Sequence, residues 1–279
     1  MKYSKKAIVI TGSNSGIGKE AAMILARQDH TVVMLCKAGD KSAQVKESIV
    51  SQTGNDRVFL VPVDLSEPDS IREAVDSVKK SHPVVDVLVN NAGIFHIKRE
   101  ENSIGIEGSF AVNFLAPYML SRLLLENVAA SGNGRIINVV SELYRKGSID
   151  TDDPMMKKRY KGQMAYANAK RACVMDTFAL AEKTRGKGVT VNALHPGLLA
   201  TSVFRDYPAF LVKFLNLFLE HPKKGGERIV HLALSDDVKD LTGTYVYREE
   251  PRKIEWTEEE SLRFEKLQRF AEELTGVAP

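Results

Sequence analysis

The sequence predicts a doubly wound α/β fold, a parallel sheet of about seven strands with helices on both faces. Three observations predict it. Short runs rich in Val, Ile and Leu recur along the chain, as strands buried on both faces require. Longer mixed polar–apolar segments separate them, with lengths that suit helical crossovers between parallel strands. The first apolar run ends in a glycine-rich turn that opens directly into a helical segment.

In order, the strand segments are AIVIT (7–11), TVVMLC (31–36), RVFLVPV (57–63), VDVLVN (85–90), RIINVV (135–140) and VTVNALH (189–195). The intervening helices are expected at 18–28, 41–52, 68–81, 103–127 and 163–183. The fourth of these contains Pro117, which has no N–H and clashes with the carbonyl four residues earlier, that of Asn113. The helix should bend there and leave this carbonyl open to a water or ligand. After residue 196 the pattern changes: FLVKFLNLFL (210–219) is apolar at eight of ten positions. A helix at 223–235 and a seventh strand in LTGTYVY (241–247) follow. Thr257 and Glu260 then stand in capping-box spacing before Leu262, Leu267, Phe270, Ala271 and Leu274, which fall near one helical face. This last helix is expected to dock on the domain or on a partner subunit, so a homo-oligomer stays open. The organisation read from the chain is one catalytic domain over 1–250 and a helical tail over 251–279.

Composition narrows the function. The 39 basic and 36 acidic residues leave a formal charge of only +3, and no basic stripe interleaves with aromatics, which argues against a nucleic-acid partner. Cys36 and Cys173 have neither metal-ligand spacing nor a disulfide framework, as suits a reducing compartment. The opening MKYSKKAIVI is too short in its apolar part for a signal peptide or a membrane span. No integral span, no metal and a cytoplasmic location are the expectations.

Two patterns carry chemistry. The turn TGSNSGIG places Gly12, Gly16 and Gly18 between a strand and a helix, where free N–H groups attract a pyrophosphate. Its G-x-x-x-G-x-G spacing departs from the usual G-x-G-x-x-G fingerprint, but its strand–turn–helix context is right. In AYANAK, Tyr166 lies four residues before Lys170, on the same helical face. A cation there favours the phenolate and lowers a phenol pKa that is ordinarily about 10.

With NNAG (90–93), Ser141 at a strand end and HPG (195–197), these motifs resemble, in order and context, the short-chain dehydrogenase/reductase family, a Rossmann fold. The resemblance covers residues 6 to 247 and is most like the retinol-dehydrogenase-like branch. It implies that Tyr166 exchanges the proton of an alcohol/carbonyl oxygen and that Ser141 holds that oxygen. Lys170 would tune the tyrosine and bind the nicotinamide ribose, and Asn113 would join a water relay to the lysine. It also implies a dinucleotide held by Gly12, Ser13, Asn14, Ser15, Gly16, Ile17 and Gly18, by Asn91, Ala92 and Gly93, and by Pro196, Gly197 and Thr201. Val140, Glu142 and Ala169 depart from the family's common residues without touching the reacting groups.

The loop after the second strand reads the ribose 2′-position, an acid favouring NAD and a base a 2′-phosphate. Here Cys36 is followed by Lys37 and no carboxylate appears before Asp40, so NADP(H) is favoured over NAD(H). Asp64 is expected at the adenine amine, with Leu65 beside the ring. A lid over about 201–222, rich in Phe and Leu, would cover a small lipophilic alcohol or carbonyl. The alternatives are reduction of a sugar or lipid precursor, or a non-catalytic dinucleotide-sensing scaffold.

Overall fold

A computed structural model describes residues 5–197 and 220–279. The strands are β1 (Ala7–Thr11), β2 (Thr31–Cys36), β3 (Val58–Pro62), β4 (Val87–Asn90), β5 (Gly134–Val139), β6 (Val189–His195), β7 (Thr244–Tyr247) and β8 (Glu250–Arg252). They form one sheet in the order β3-β2-β1-β4-β5-β6-β7-β8, parallel throughout except for the last pair. The order reverses between β1 and β4, which is where a doubly wound sheet opens a crevice beyond its strand ends.

Helices α1 (Gly16–Arg27), α2 (Asp40–Thr53) and α8 (Pro222–Leu234) cover one face. Ile8, Ile10, Met34, Val89 and Leu194 meet Leu25, Ile49 and Ile229 there. On the other face lie α3 (Pro68–Ser81), a single turn α4 (Gly108–Phe110), α5 (Ala116–Leu123), α6 (Leu125–Ala129) and α7 (Gly162–Lys183). Val9, Leu88, Ile136 and Val191 pack against Val75, Phe114, Leu120 and Met175. Alternating strand side chains thus bury both faces of the sheet, which is why these segments read as continuous apolar runs.

Three sequence expectations change. The helix expected over 103–127 is divided into α4, a π-helical segment (Ala111–Leu115), α5 and α6. The Ala116 N–H bonds the Ala111 carbonyl five residues back, so the expected bend takes the form of a widened turn. Pro117 follows directly, and the helical path runs on through Leu115 and Ala116, so its missing N–H falls where the turn has already widened. An eighth strand also appears, Glu250–Arg252, antiparallel at the sheet edge. Its three residues include Pro251 and two charges, so no apolar pattern announces it; Pro suits only such an edge.

The last helix, α9 (Glu258–Thr275), begins with both bonds of the capping box between Thr257 and Glu260. It docks on its own chain. Phe264 packs 6.5 Å from Phe114, Phe270 lies 6.2 Å from Phe110, and the Tyr118 hydroxyl donates to the Val277 carbonyl at 2.8 Å. Leu262, expected on the apolar face, is instead 52% exposed. Phe264 takes the inward position that the spacing had suggested for it.

Candidate active site

The carboxyl ends of strands β1 to β6 supply the site. At the end of β1, Gly12 and Gly16 adopt φ values of 64° and 53°, conformations that side chains resist. Gly18 is required for another reason: a Cβ there would stand 2.3 Å from the Asn91 amide nitrogen and 2.7 Å from the Gly12 carbonyl. The glycine turn and the segment after β4 are therefore one packed unit. Thr11 completes it, its hydroxyl accepting the N–H groups of Asn91 and Ala92, each at 2.9 Å. The Asn91 side chain returns a bond to the Thr11 carbonyl at 2.8 Å.

At the end of β5, Ser141 caps a 3₁₀ turn (Glu142–Lys146), its hydroxyl accepting the Leu143 N–H at 3.3 Å. Tyr166 projects from the first turns of α7 and is 8% exposed; Lys170, one turn on, is 4% exposed. The Lys170 ammonium donates to the Val139 carbonyl at 2.9 Å and stands 5.8 Å from the centre of the Tyr166 ring. Burial pushes the Tyr166 phenol up to about 12, against a smaller downward pull from the Ser141 hydroxyl beside it. Burial also lowers the pKa of Lys170. The lowered phenol pKa expected from an adjacent cation is thus not what the folded chain shows by itself. Desolvation outweighs a lysine whose ammonium is turned toward a carbonyl.

Asn113 sits in the π-helical segment, and its side chain is fully engaged. Its amide nitrogen donates to the carbonyls of Ile94 and Ser109 at 2.9 and 3.0 Å, and its oxygen accepts the Ile94 N–H at 3.1 Å. A Cβ on Gly93 would lie 3.1 Å from that oxygen and 3.6 Å from the Lys170 ammonium, so this glycine separates the two side chains.

A cavity of about 830 Å³ runs along these strand ends. It is bordered by Gly12, residues 14–17, Lys37, Asp64, Leu65, residues 91–93, Ser141, Tyr166, Lys170, Pro196 and Gly197. Ser13, Gly18 and Asn113 stand behind its wall. The Ser13 hydroxyl turns inward to the Ile10 carbonyl at 3.2 Å and toward the Cys36 sulfur at 3.5 Å. Thr201 and the apolar stretch 210–219 lie outside the described residues.

Lys37 and Asp64 form an ion pair at 2.8 Å, with side chains 71% and 37% exposed. Burial works to raise the Asp64 pKa, but hydrogen bonds from Lys37 and Ser66 outweigh it and hold the carboxyl below its usual range. Lys41, at the start of α2, also borders the cavity and was missed. Its signal was available as a second lysine four residues beyond Lys37. Thr11 was missed because its role exists only across strands β1 and β4. Among the described residues, no three His, Cys, Asp or Glu side chains gather to hold a metal. Cys36 and Cys173 are both buried and free.

A family model described as short chain dehydrogenase matches residues 6–210. The chain belongs to that family. This short-chain dehydrogenase is 34% identical over 284 residues to retinol dehydrogenase 13 of Mus musculus, covering 98% of this chain and 84% of that one. It is 32% identical over 242 residues to retinol dehydrogenase 11 of Homo sapiens, covering 86% and 76%. The crystal structure of L-sorbose reductase from Gluconobacter frateurii, complexed with NADPH and L-sorbose, matches with a TM-score of 0.70 and 25% identity, covering 88% of this chain and 95% of that one. An uncharacterised protein from Mycobacterium Paratuberculosis shares the fold with a TM-score of 0.78 at 24% identity, covering 99% and 95%. The chain is therefore an oxidoreductase of the NAD(P)-dependent short-chain class. Among the described residues, no helix is long and apolar enough to cross a membrane.

Proposed function

We propose that this short-chain dehydrogenase interconverts an alcohol and a carbonyl on a small lipophilic substrate, with NADP(H) as its preferred dinucleotide. One observation carries the reading: Ser141, Tyr166 and Lys170 border the same cavity as the glycine turn. Two features fit a dinucleotide there. The N-terminus of α1 has no side-chain cap and no acid in its first turn, leaving its N–H groups for a pyrophosphate. The buried Asn91 side-chain oxygen has no partner among the described residues. Gly12 and residues 14–17 would hold the pyrophosphate, residues 91–93 and 196–197 the nicotinamide half, and Lys170 its ribose. Asp64 and Leu65 would take the adenine. Lys37, with Lys41 beside it, would take the 2′-phosphate. When bound, the nicotinamide supplies or receives the hydride at the substrate carbon.

The chain's own residues manage the oxygen. In reduction the Tyr166 hydroxyl gives its proton to the carbonyl oxygen as the carbon gains the hydride, and in oxidation the phenolate takes it back. The Ser141 hydroxyl donates a hydrogen bond to the same oxygen and fixes its position. Lys170 stabilises the phenolate left behind. Asn113 secures the Gly93–Ile94 backbone against Lys170 and is proposed as the inner end of a proton relay. Burial keeps the Tyr166 phenol protonated in the cofactor-free fold, so stabilisation of the phenolate by Lys170 is what would make it an effective acid–base group. The apolar segment near 201–222 is proposed, on its sequence alone, as the substrate cover.

The likeness to L-sorbose reductase supports a second reading, reduction of a polyhydroxylated carbonyl. A screen of NADPH consumption against retinoid, steroid, aliphatic and sugar carbonyls separates the two. Turnover confined to sugars would displace the lipophilic reading. NADPH binding with no turnover across the panel would mark a dinucleotide-sensing scaffold.

A further inference from the structure

His195 closes β6 and is 4% exposed, yet neither ring nitrogen has a hydrogen-bond partner among the described residues. A buried polar group left unpaired is costly, and a fold that keeps one at a functional cleft invites a ligand explanation. The polar groups around it are committed elsewhere. The Glu142 carboxylate accepts from the Tyr245 hydroxyl and from Arg145. Arg228 donates to the Pro196 carbonyl and pairs with Glu220, and Arg248 pairs with the same glutamate. The Val140 carbonyl lies close enough to favour a charged ring but makes no hydrogen bond of acceptable geometry. Burial outweighs these influences and lowers the imidazole pKa, so the ring is neutral at physiological pH, with one nitrogen a donor and the other an acceptor. Tyr247 packs on it with ring centres 5.2 Å apart, which fixes its plane.

Its position points to the substrate. The β5–β6 register pairs Val139 with Leu194, so the next residues in line are Val140 and His195, and Ser141 is one residue further. His195 borders the same cavity as Ser141 and Tyr166. We infer that His195 is a specificity residue whose imidazole hydrogen-bonds a second polar group of the substrate, close to the reacting carbonyl. This rests on the carbonyl-reduction reading above. It narrows the substrate class to carbonyl compounds carrying a hydroxyl or similar group one or two carbons from the reacting centre.

The test compares acetophenone with 2-hydroxyacetophenone, using the full chain and NADPH, in wild type and in His195→Phe and His195→Asn. Comparing the kcat/KM ratios between proteins cancels the intrinsic reactivity of the two ketones. Phe should shrink the preference for the hydroxyketone by about tenfold or more, while Asn, which keeps a donor and an acceptor, retains most of it. NADPH affinity, titrated by fluorescence, should stay within a few-fold. An unchanged ratio in the Phe variant overturns the inference. A fall in NADPH affinity as large as the fall in the ratio assigns the ring to the cofactor and also overturns it. If the Phe variant does not fold, His195→Leu takes its place under the same criteria, and loss of the preference in the Asn variant overturns the inference. Binding of both ketones without turnover would defeat the catalytic reading instead, and the ratio of their Kd values then decides the histidine's role by the same criteria.

Discussion

Replacing Lys37 with aspartate tests the cofactor reading most directly. In the folded chain the lysine pairs with Asp64 at 2.8 Å, but its side chain is 71% exposed. An ion pair so open to water is worth about 0–1 kcal/mol, so leaving Asp64 for a 2′-phosphate costs little. The new charge-assisted contact is worth roughly 1.5–3 kcal/mol, which is about a ten- to hundredfold preference for NADPH over NADH. Lys37→Asp removes that contact and sets a second carboxylate beside Asp64, where the phosphate would meet repulsion. Lys41 remains and blunts the loss. NADPH affinity should fall by about a hundredfold while NADH affinity changes by no more than a few-fold, erasing or reversing the preference. Calorimetric or fluorescence titration of both dinucleotides with both proteins measures this, and the NADPH preference should weaken as salt is raised. Tighter NADH binding by the wild-type protein, or a preference untouched by the substitution, refutes the reasoning.

Tyr166→Phe should lower turnover by about a hundredfold or more while NADPH affinity stays within a few-fold; near-normal steady-state rates with any good substrate would sink the acid–base assignment. Tyr166 and Tyr118 are both held up to about 12 by burial, so the fold favours their neutral forms. The stability this contributes is present in full below the unfolded value of about 10 and is lost as pH rises toward 12. Thermal melts of the cofactor-free protein should therefore fall across that window, less steeply in Tyr166→Phe; parallel curves would contradict the burial argument. Arg122 and Asp176 form a two-bonded pair at 2.7 and 2.9 Å with side chains 7% and 4% exposed. Asp176→Ala strands the guanidinium and should destabilise by about 3–5 kcal/mol, whereas the double change Arg122→Met/Asp176→Leu should cost clearly less. Denaturant midpoints at constant slope decide it, and equal losses in both proteins would refute the stranded-charge account.

The layers of this fold were legible because burial on both sheet faces leaves a one-dimensional trace. Strands such as TVVMLC and RIINVV read as central, and the glycine turn and the placing of Tyr166 and Lys170 on one helical face follow from local spacing. The capping box of α9 was legible for the same reason, since both of its partners lie within one turn. What the chain alone could not decide involves groups far apart in sequence. Thr11 ties the glycine turn to Asn91 across 80 positions, and Lys37 reaches Asp64 across the β2–β3 loops. The direction of the Tyr166 shift also belonged to the tertiary structure. Sequence spacing places a cation one turn away, but only packing shows that the phenol is buried and the ammonium turned to the Val139 carbonyl. Likewise the sequence marks His195 only as part of HPG (195–197), and it is the fold that shows its ring unpaired among neighbours bonded to one another. Periodicity and spacing report which surface is buried. Desolvation and hydrogen-bond satisfaction depend on every group that surrounds a site, and those groups are brought together only by folding.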